Sequence, residues 1–443
     1  MEGCEKMFVS KAVNINEKNH LEIGGCDCLD LVNTYGTPLY VMDEALFREN
    51  CRRYKNAIEK YYDGKGLVVY ASKALCTTAI CKIIEQEGLG LDVVSGGELY
   101  TAITAGFPME RVYFHGNNKT YEELMLAIEN NVGRIVIDNK EELVMVHEIA
   151  YKSGKKVNVS FRVKPGIDTN THEFISTGQI DSKFGMAIEN GEAFEIISKA
   201  LKLSNLNVMS LHCHIGSQLF DLELFKLAAK VMLEFVAELK EKLNIEIGEL
   251  NLGGGFGVKY TKEDEEIDYD SFIGAVSEVV KGVCSQKGIK VPKIVIEPGR
   301  SIAAPAGITL YRVGSVKEIK NVRKYVAVDG GMTDNPRYAM YQAKYDAVIV
   351  DRPDAPRTEK VTIAGKCCES GDILIKDIML PEVKSGDVLA VFTTGAYNYS
   401  MSSNYNRIPR PPIVLVKDGK ARIIVKREDY GDVIRNDIIP EDL

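Results

Sequence analysis

The chain has 443 residues, 45% of them apolar and 27% charged, an ordinary globular composition with room for more than one domain. Its net charge of -8 and lack of any basic run exclude the electrostatic footprint needed for nucleic acid or an anionic membrane. The opening MEGCEKMFVSKAVNINEK has no signal-peptide core and no segment approaches the ~18 apolar residues of a membrane span, so a cytoplasmic protein is expected.

The first 42 residues read as extended runs, MFVSKAVNIN, HLEIGG and TPLYVMD, too few to fold alone and expected to pair with a sheet elsewhere. From residue 43 to 301 short Val/Ile/Leu-rich runs alternate with amphipathic stretches. Eight such runs stand out, at 66–74, 89–99, 111–118, 134–139, 157–166, 208–217, 247–257 and 292–301. One intervening stretch, 139–156, puts Leu143, Val146, Ile149 and Ala150 on one helical face, with Gly154 as a stop signal. Eight strand–helix units predict a TIM-like (β/α)8 barrel, with an open doubly wound sheet as the alternative from periodicity alone. Polar residues fall at the ends of the runs: Lys73, Asp92, His115, Asp138, Arg162 with Lys164, His214, Asn251, and Glu297 with Arg300. That placement favours the barrel, because barrel enzymes gather their chemistry at the carboxyl ends of their strands. Residues 302–443 change texture, with strand-like runs separated by Gly, Asp and Lys turns. They predict an all-β domain, a β-sandwich or β-barrel with meander-like connections completed by the N-terminal strands.

Ten cysteines occur without a Cys-x-x-Cys spacing, so no structural zinc is expected and most read as small buried hydrophobes. The adjacent pair Cys367 and Cys368, in GKCCESGD, is the one whose role bulk properties leave open.

Lys73, in YASKA, emerges from an apolar run, and partial desolvation would free its amine for Schiff-base chemistry; a capping lysine is the plainer reading. Gly253, Gly254 and Gly255, in NLGGGFG, are either a tight turn or a backbone cradle for phosphate. Glu297, in IEPGR, could keep a pyridine nitrogen protonated, and His214, in LHCHIGS, could lie on a ring face or simply pack. Lysine, cradle, carboxylate and flat ring together specify pyridoxal 5′-phosphate (PLP).

The ordered set YASKA, DVVSGGEL, THEFISTGQIDSKFGM, HCHIGSQ, NLGGGFG, EPGRSI, GGMTDNPRYAMY, CCESGD and TTGAYNYSM spans nearly the whole chain. Through it the chain resembles the PLP-dependent ornithine/diaminopimelate/arginine decarboxylase family, which has an alanine-racemase-like barrel, and its diaminopimelate branch most closely. The resemblance implies decarboxylation of meso-2,6-diaminopimelate to L-lysine and CO2. Alternatives are a same-fold decarboxylase of ornithine, lysine or carboxynorspermidine, or a non-catalytic PLP-binding relative. It implies that Lys73 carries the cofactor, His214 packs on its ring, Gly253, Gly254 and Gly255 hold the phosphate, and Glu297 meets the ring nitrogen. Pro298, Gly299 and Arg300 complete that wall. Arg300, Arg337, Tyr341 and Glu369 become the substrate set, Tyr397 touches cofactor and substrate, and Cys368 is the proton donor, with Lys73 competing. A lid over residues 171–178 and a homodimer with shared active sites are implied as well. The family often has proline after the arginine matching Arg337 and leucine before the tyrosine; here Tyr338 and Met340 stand at those places.

Overall fold

A computed structural model describes residues 8–167 and 182–443. The eight apolar runs become eight parallel strands: β1 (Gly66–Ala71), β2 (Gly90–Val93), β3 (Val112–Phe114), β4 (Arg134–Ile137), β5 (Val157–Lys164), β6 (Leu206–His212), β7 (Glu249–Asn251) and β8 (Lys293–Ile296). Each pairs with the next, and β8 returns to β1 through Ile294–Gly66 and Ile296–Val68. The sheet therefore closes on itself, which decides for a barrel over an open doubly wound sheet. This unit comprises Asn50–Gly257 and Glu266–Ser301.

The helices form where the apolar spacing demands. Helix Lys140–Lys152 buries Leu143, Val146, Ile149 and Ala150, the face the spacing predicts. The Asn139 side chain caps it by accepting from the Glu142 N–H at 2.9 Å, and Gly154 follows its end at φ +62°.

Inside the barrel, Val69, Tyr113 and Val295 pack from β1, β3 and β8. Beneath them, at the amino ends of the strands, buried Glu249 accepts from the Tyr113 hydroxyl at 2.9 Å and pairs with Arg134 at 3.4 Å and Lys293 at 3.5 Å. That end of a barrel serves stability, and the network plugs it with paired charge.

A second buried pair ties the walls together. Lys119 Nζ donates to the Gly116 carbonyl (2.9 Å), the Val136 carbonyl (2.8 Å) and Glu142 Oε1 (2.7 Å), which occupies all three ammonium protons. One side chain thus joins the loop after β3, strand β4 and the helix behind it.

The other unit holds residues up to Glu49, Val258–Glu265 and Ile302–Leu443. Its long strand Gly307–Ile319 pairs antiparallel with Leu39–Asp43, Arg323–Val328 and Val388–Phe392. Leu39–Asp43 also pairs, in parallel, with Ile413–Lys417. Of the N-terminal runs, then, only the last enters the large sheet. Val13–Ile15, Leu21–Ile23 and Cys26–Asp27 form a small antiparallel sheet of their own. The connections also depart from a meander, because Arg323–Val328 runs parallel to Glu359–Ala364. The intervening chain includes helix Arg337–Tyr341 and strand Ala347–Ile349, so a hairpin is impossible and a crossover is required. Among the described residues, no helix is long and apolar enough to cross a membrane.

Replacing Lys119 by Met leaves Glu142 and two carbonyls buried without their donor, and should lower unfolding stability by about 3–5 kcal/mol in urea titration. Adding Glu142→Leu should recover part of that loss, because no unpaired charge then remains.

Candidate active site

The carboxyl ends of the strands converge on Glu297, which follows β8 and is 7% exposed. Asn251 Nδ2, at the end of β7, donates to Glu297 Oε1 at 2.6 Å. His115 Nε2, just past β3, lies 2.8 Å from the same oxygen, and His212 Nε2, closing β6, lies 3.2 Å from Oε2. Burial alone would raise the Glu297 pKa, but the two histidines outweigh it and hold the carboxyl well below the usual carboxylate range. The result is a buried carboxylate that stays ionised.

The surrounding groups are tuned by the same lack of water. Burial pushes Asp92 up to about 6, with Glu297 adding to the rise while His115 and Lys73 oppose it. Asp92 Oδ1 is a buried oxygen without a hydrogen-bond partner, 3.9 Å from His115 Nε2. Burial lowers His212 to about 4 despite the attraction of Glu297. The half-buried His214 is also held well below the ordinary histidine value, by burial and then by the charges of Lys73 and Arg162. Arg162 lies 4.0 Å from Asp138 and 4.3 Å above the Phe184 ring.

The three glycines are fitted closely. A Cβ on Gly254 would come within 2.1 Å of the Glu297 carbonyl oxygen, and one on Gly255 within 2.3 Å of the Gly216 oxygen. The Gly253 and Gly254 N–H groups donate to Asn251 Oδ1 at 2.9 Å and His214 Nδ1 at 3.3 Å, so the glycine turn is wired to both neighbouring strand ends. The Pro298 carbonyl accepts from the Ala71 N–H, and a Cβ on Gly299 would lie 2.8 Å from the Ala71 methyl. Arg300 Nη2 donates to Ser217 Oγ at 2.9 Å.

Lys73 departs from expectation. It sits in a 3-10 turn, Ser72–Ala74, beyond the end of β1, with Ser72 and Ala74 buried but its own side chain exposed. Lys73 thus stands on the turn rather than on the apolar strand itself.

The second unit carries a separate group. Arg337 and Tyr341 begin and end one helical turn, hence share a face, and Tyr338 and Met340 leave that helix intact. Buried Arg337 donates to the Tyr345 hydroxyl at 2.6 Å, which in turn meets Asn398 Oδ1 at 3.3 Å. Next to Asn398, Tyr397 adopts a left-handed backbone at φ +63°, a strained choice for an aromatic residue. Cys368 and Glu369 are exposed, while Cys367 is buried, its thiol pushed up to about 11 by burial and Asp372. Cys367 and Cys368 are free thiols. The expected lid at 171–178 lies outside the described residues.

From sequence, His115 and Asn251 stand out only as strand-end residues, and HCHIGS offers His214 rather than His212. Two histidines two apart on a strand end were the available signal. His115, His212 and Glu297 have donor atoms within 4.8 Å of one another. Within the group, His212 Nε2 is a hydrogen-bond partner of Glu297 and His115 Nε2 stands at ion-pair distance from it.

A family model described as pyridoxal-dependent decarboxylase, pyridoxal binding domain, matches residues 44–304. A diaminopimelate decarboxylase of Bacillus subtilis is 50% identical over 432 residues, covering 98% of each chain. One of Bacillus methanolicus is 51% identical over 422 residues, 95% of this chain and 98% of that one. Among solved structures, diaminopimelate decarboxylase of M. jannaschii in complex with L-lysine superposes with a TM-score of 0.93 at 39% identity, covering 99% of this chain and 100% of that chain.

His212 should remain neutral to about pH 4, well below the ordinary histidine value near 6.5. The unfolded chain therefore takes up a proton that the folded one refuses, and stability present above pH 6.5 is lost as pH falls toward 4. With only six histidines, NMR titration resolves this, with His212 assigned through His212→Asn. Its resonance should hold still from pH 8 to about 5, and a midpoint near 6.5 contradicts the buried neutral state.

Proposed function

The chain belongs to the pyridoxal-dependent decarboxylases of the diaminopimelate decarboxylase family, and on that premise we propose how its own residues decarboxylate meso-2,6-diaminopimelate to L-lysine and CO2. The observation that carries the reading is Glu297, a buried carboxylate held ionised by two histidines at the barrel mouth. An ionised carboxylate without access to water is what a pyridine nitrogen needs if it is to keep its proton. The glycine turn, whose contacts leave no room for side chains, and the unpartnered Asp92 oxygen fit the phosphate and ring of the cofactor in the same mouth. When bound, PLP supplies an electron sink for the pair left on carbon as CO2 departs.

Each residue then has a task. Lys73 would offer its Nζ as the anchor for PLP, His214 would lie against the ring face, and Gly253, Gly254 and Gly255 with Pro298, Gly299 and Arg300 would wall the phosphate end. Glu297 would keep the ring nitrogen protonated. The bond to the carboxylate on the D centre breaks, CO2 leaves, and the electron pair remains on that carbon. Cys368 Sγ–H delivers the proton that forms the new C–H bond, and its thiolate recovers a proton from solvent. Positioned acids of this kind contribute roughly 10²–10⁴-fold in rate.

Substrate choice follows from charge at the distal end. Arg300 and Arg337 clamp the far carboxylate, Glu369 takes the far ammonium, and Tyr341 and Tyr397 line the same position. Ornithine or lysine leaves both arginines facing no anion, which costs such sites about 10⁴-fold in discrimination. We assign the two residue groups to a homodimer in which the loop carrying Cys368 serves the barrel of its partner, in a cytoplasmic enzyme.

Initial CO2 release from the PLP-loaded protein should favour meso-diaminopimelate over ornithine and lysine by about 10⁴-fold. Faster turnover of ornithine would reject the substrate assignment. Co-expressing the impaired Lys73→Ala and Cys368→Ala proteins should raise activity above that of either alone, and no recovery would reject the shared site.

A further inference from the structure

Asp372, the last residue of GKCCESGD, is buried at 3% exposure although it lies in a turn between two strands, Glu359–Ala364 and Ile373–Leu380. Each oxygen of its carboxylate accepts from a backbone N–H. Oδ2 accepts from the Cys367 N–H at 2.7 Å, and Oδ1 accepts from the Met332 N–H at 2.6 Å. Its own backbone closes the turn, with Gly365 N–H donating to the Asp372 carbonyl and Asp372 N–H donating to the Glu369 carbonyl.

Two glycines exist to admit this carboxylate. A Cβ on Gly365 would come within 2.2 Å of Asp372 Oδ2, and one on Gly331 within 2.6 Å of the same oxygen. Neither glycine has the positive φ that would otherwise explain it. The carboxylate therefore joins two loops, the one bearing Cys368 and Glu369 and the one, GGMTDNP, that leads into Arg337. Cys368 has one further anchor, its N–H donating to Asn406 Oδ1 at 2.7 Å.

We propose that Asp372 is the positioning residue that sets where Cys368 and Glu369 stand, by pinning the Cys367 and Met332 amides from one buried carboxylate. This rests on the reading of Cys368 as the proton donor. Asn at the position presents an N–H2 to one of the two amides, so one anchor becomes a donor facing a donor. A displacement of about 1 Å at a catalytic group lowers turnover by roughly 10²-fold.

The test is a double-mutant cycle on the PLP-loaded enzyme, joined to thiol mapping by iodoacetamide and mass spectrometry. Asp372→Asn should lower kcat for meso-diaminopimelate by about 10²-fold, yet cost less than about threefold further in the Cys368→Ala background. Cys367, protected in the parent protein, should become alkylated alongside the exposed Cys368. Gly331→Ala, whose methyl displaces the carboxylate without removing its charge, should reproduce both effects and serves if the Asn variant does not fold. Losses that multiply in the double variant, or unchanged thiol selectivity, overturn the role of Asp372. A Cys368→Ala protein that keeps the parent kcat removes instead the acid reading beneath it.

Discussion

Ionising a carboxyl group away from water is the constraint around which the barrel mouth is organised. Glu297 meets it with Asn251, His115 and His212, contributed by the ends of β7, β3 and β6. Three separate strands must therefore end in register before the carboxylate is satisfied, and only a closed barrel brings them there. The opposite end of the barrel solves a related problem with Glu249, Tyr113, Arg134 and Lys293. One buried carboxylate is surrounded by partners that hold the scaffold together. The other is left with the capacity to serve a cofactor, and the chemistry follows from that difference.

The β-rich unit treats its functional residues in another way. Cys368 and Glu369 are exposed on a turn, and a turn of eight residues holds no fixed shape without internal ties. Asp372 supplies those ties from beneath, while Arg337 is fixed through Tyr345 and Asn398 beside the strained Tyr397. The adjacent cysteines thus have unlike surroundings: one is packed and its thiol hard to ionise, the other stands in solvent.

Much of this was legible in the sequence. Strand periodicity and the polar residues closing each apolar run located all eight barrel strands, because burial and catalysis both act on single positions along a strand. His212 was harder to single out, because it and His214 stand two apart: alternation puts both on one face and cannot rank them, and only the 3.2 Å approach of His212 Nε2 to Glu297 does. The exposure of Lys73 depends on a short turn beyond β1 that apolar content does not reveal. The role of Asp372 leaves no mark in the sequence, since its partner Met332 is forty positions away and only the fold makes them neighbours. The meander failed for the same reason, as parallel pairing across a long connection leaves no local mark.

Loss of the carboxylate from the D centre and return of a proton to the same carbon can be read together from the product formed from meso-2,6-diaminopimelate in D2O. The products should be CO2 and L-lysine carrying a single deuterium on the carbon that lost its carboxylate. D-lysine as the product, or diaminopimelate recovered without CO2 release, would overturn that assignment.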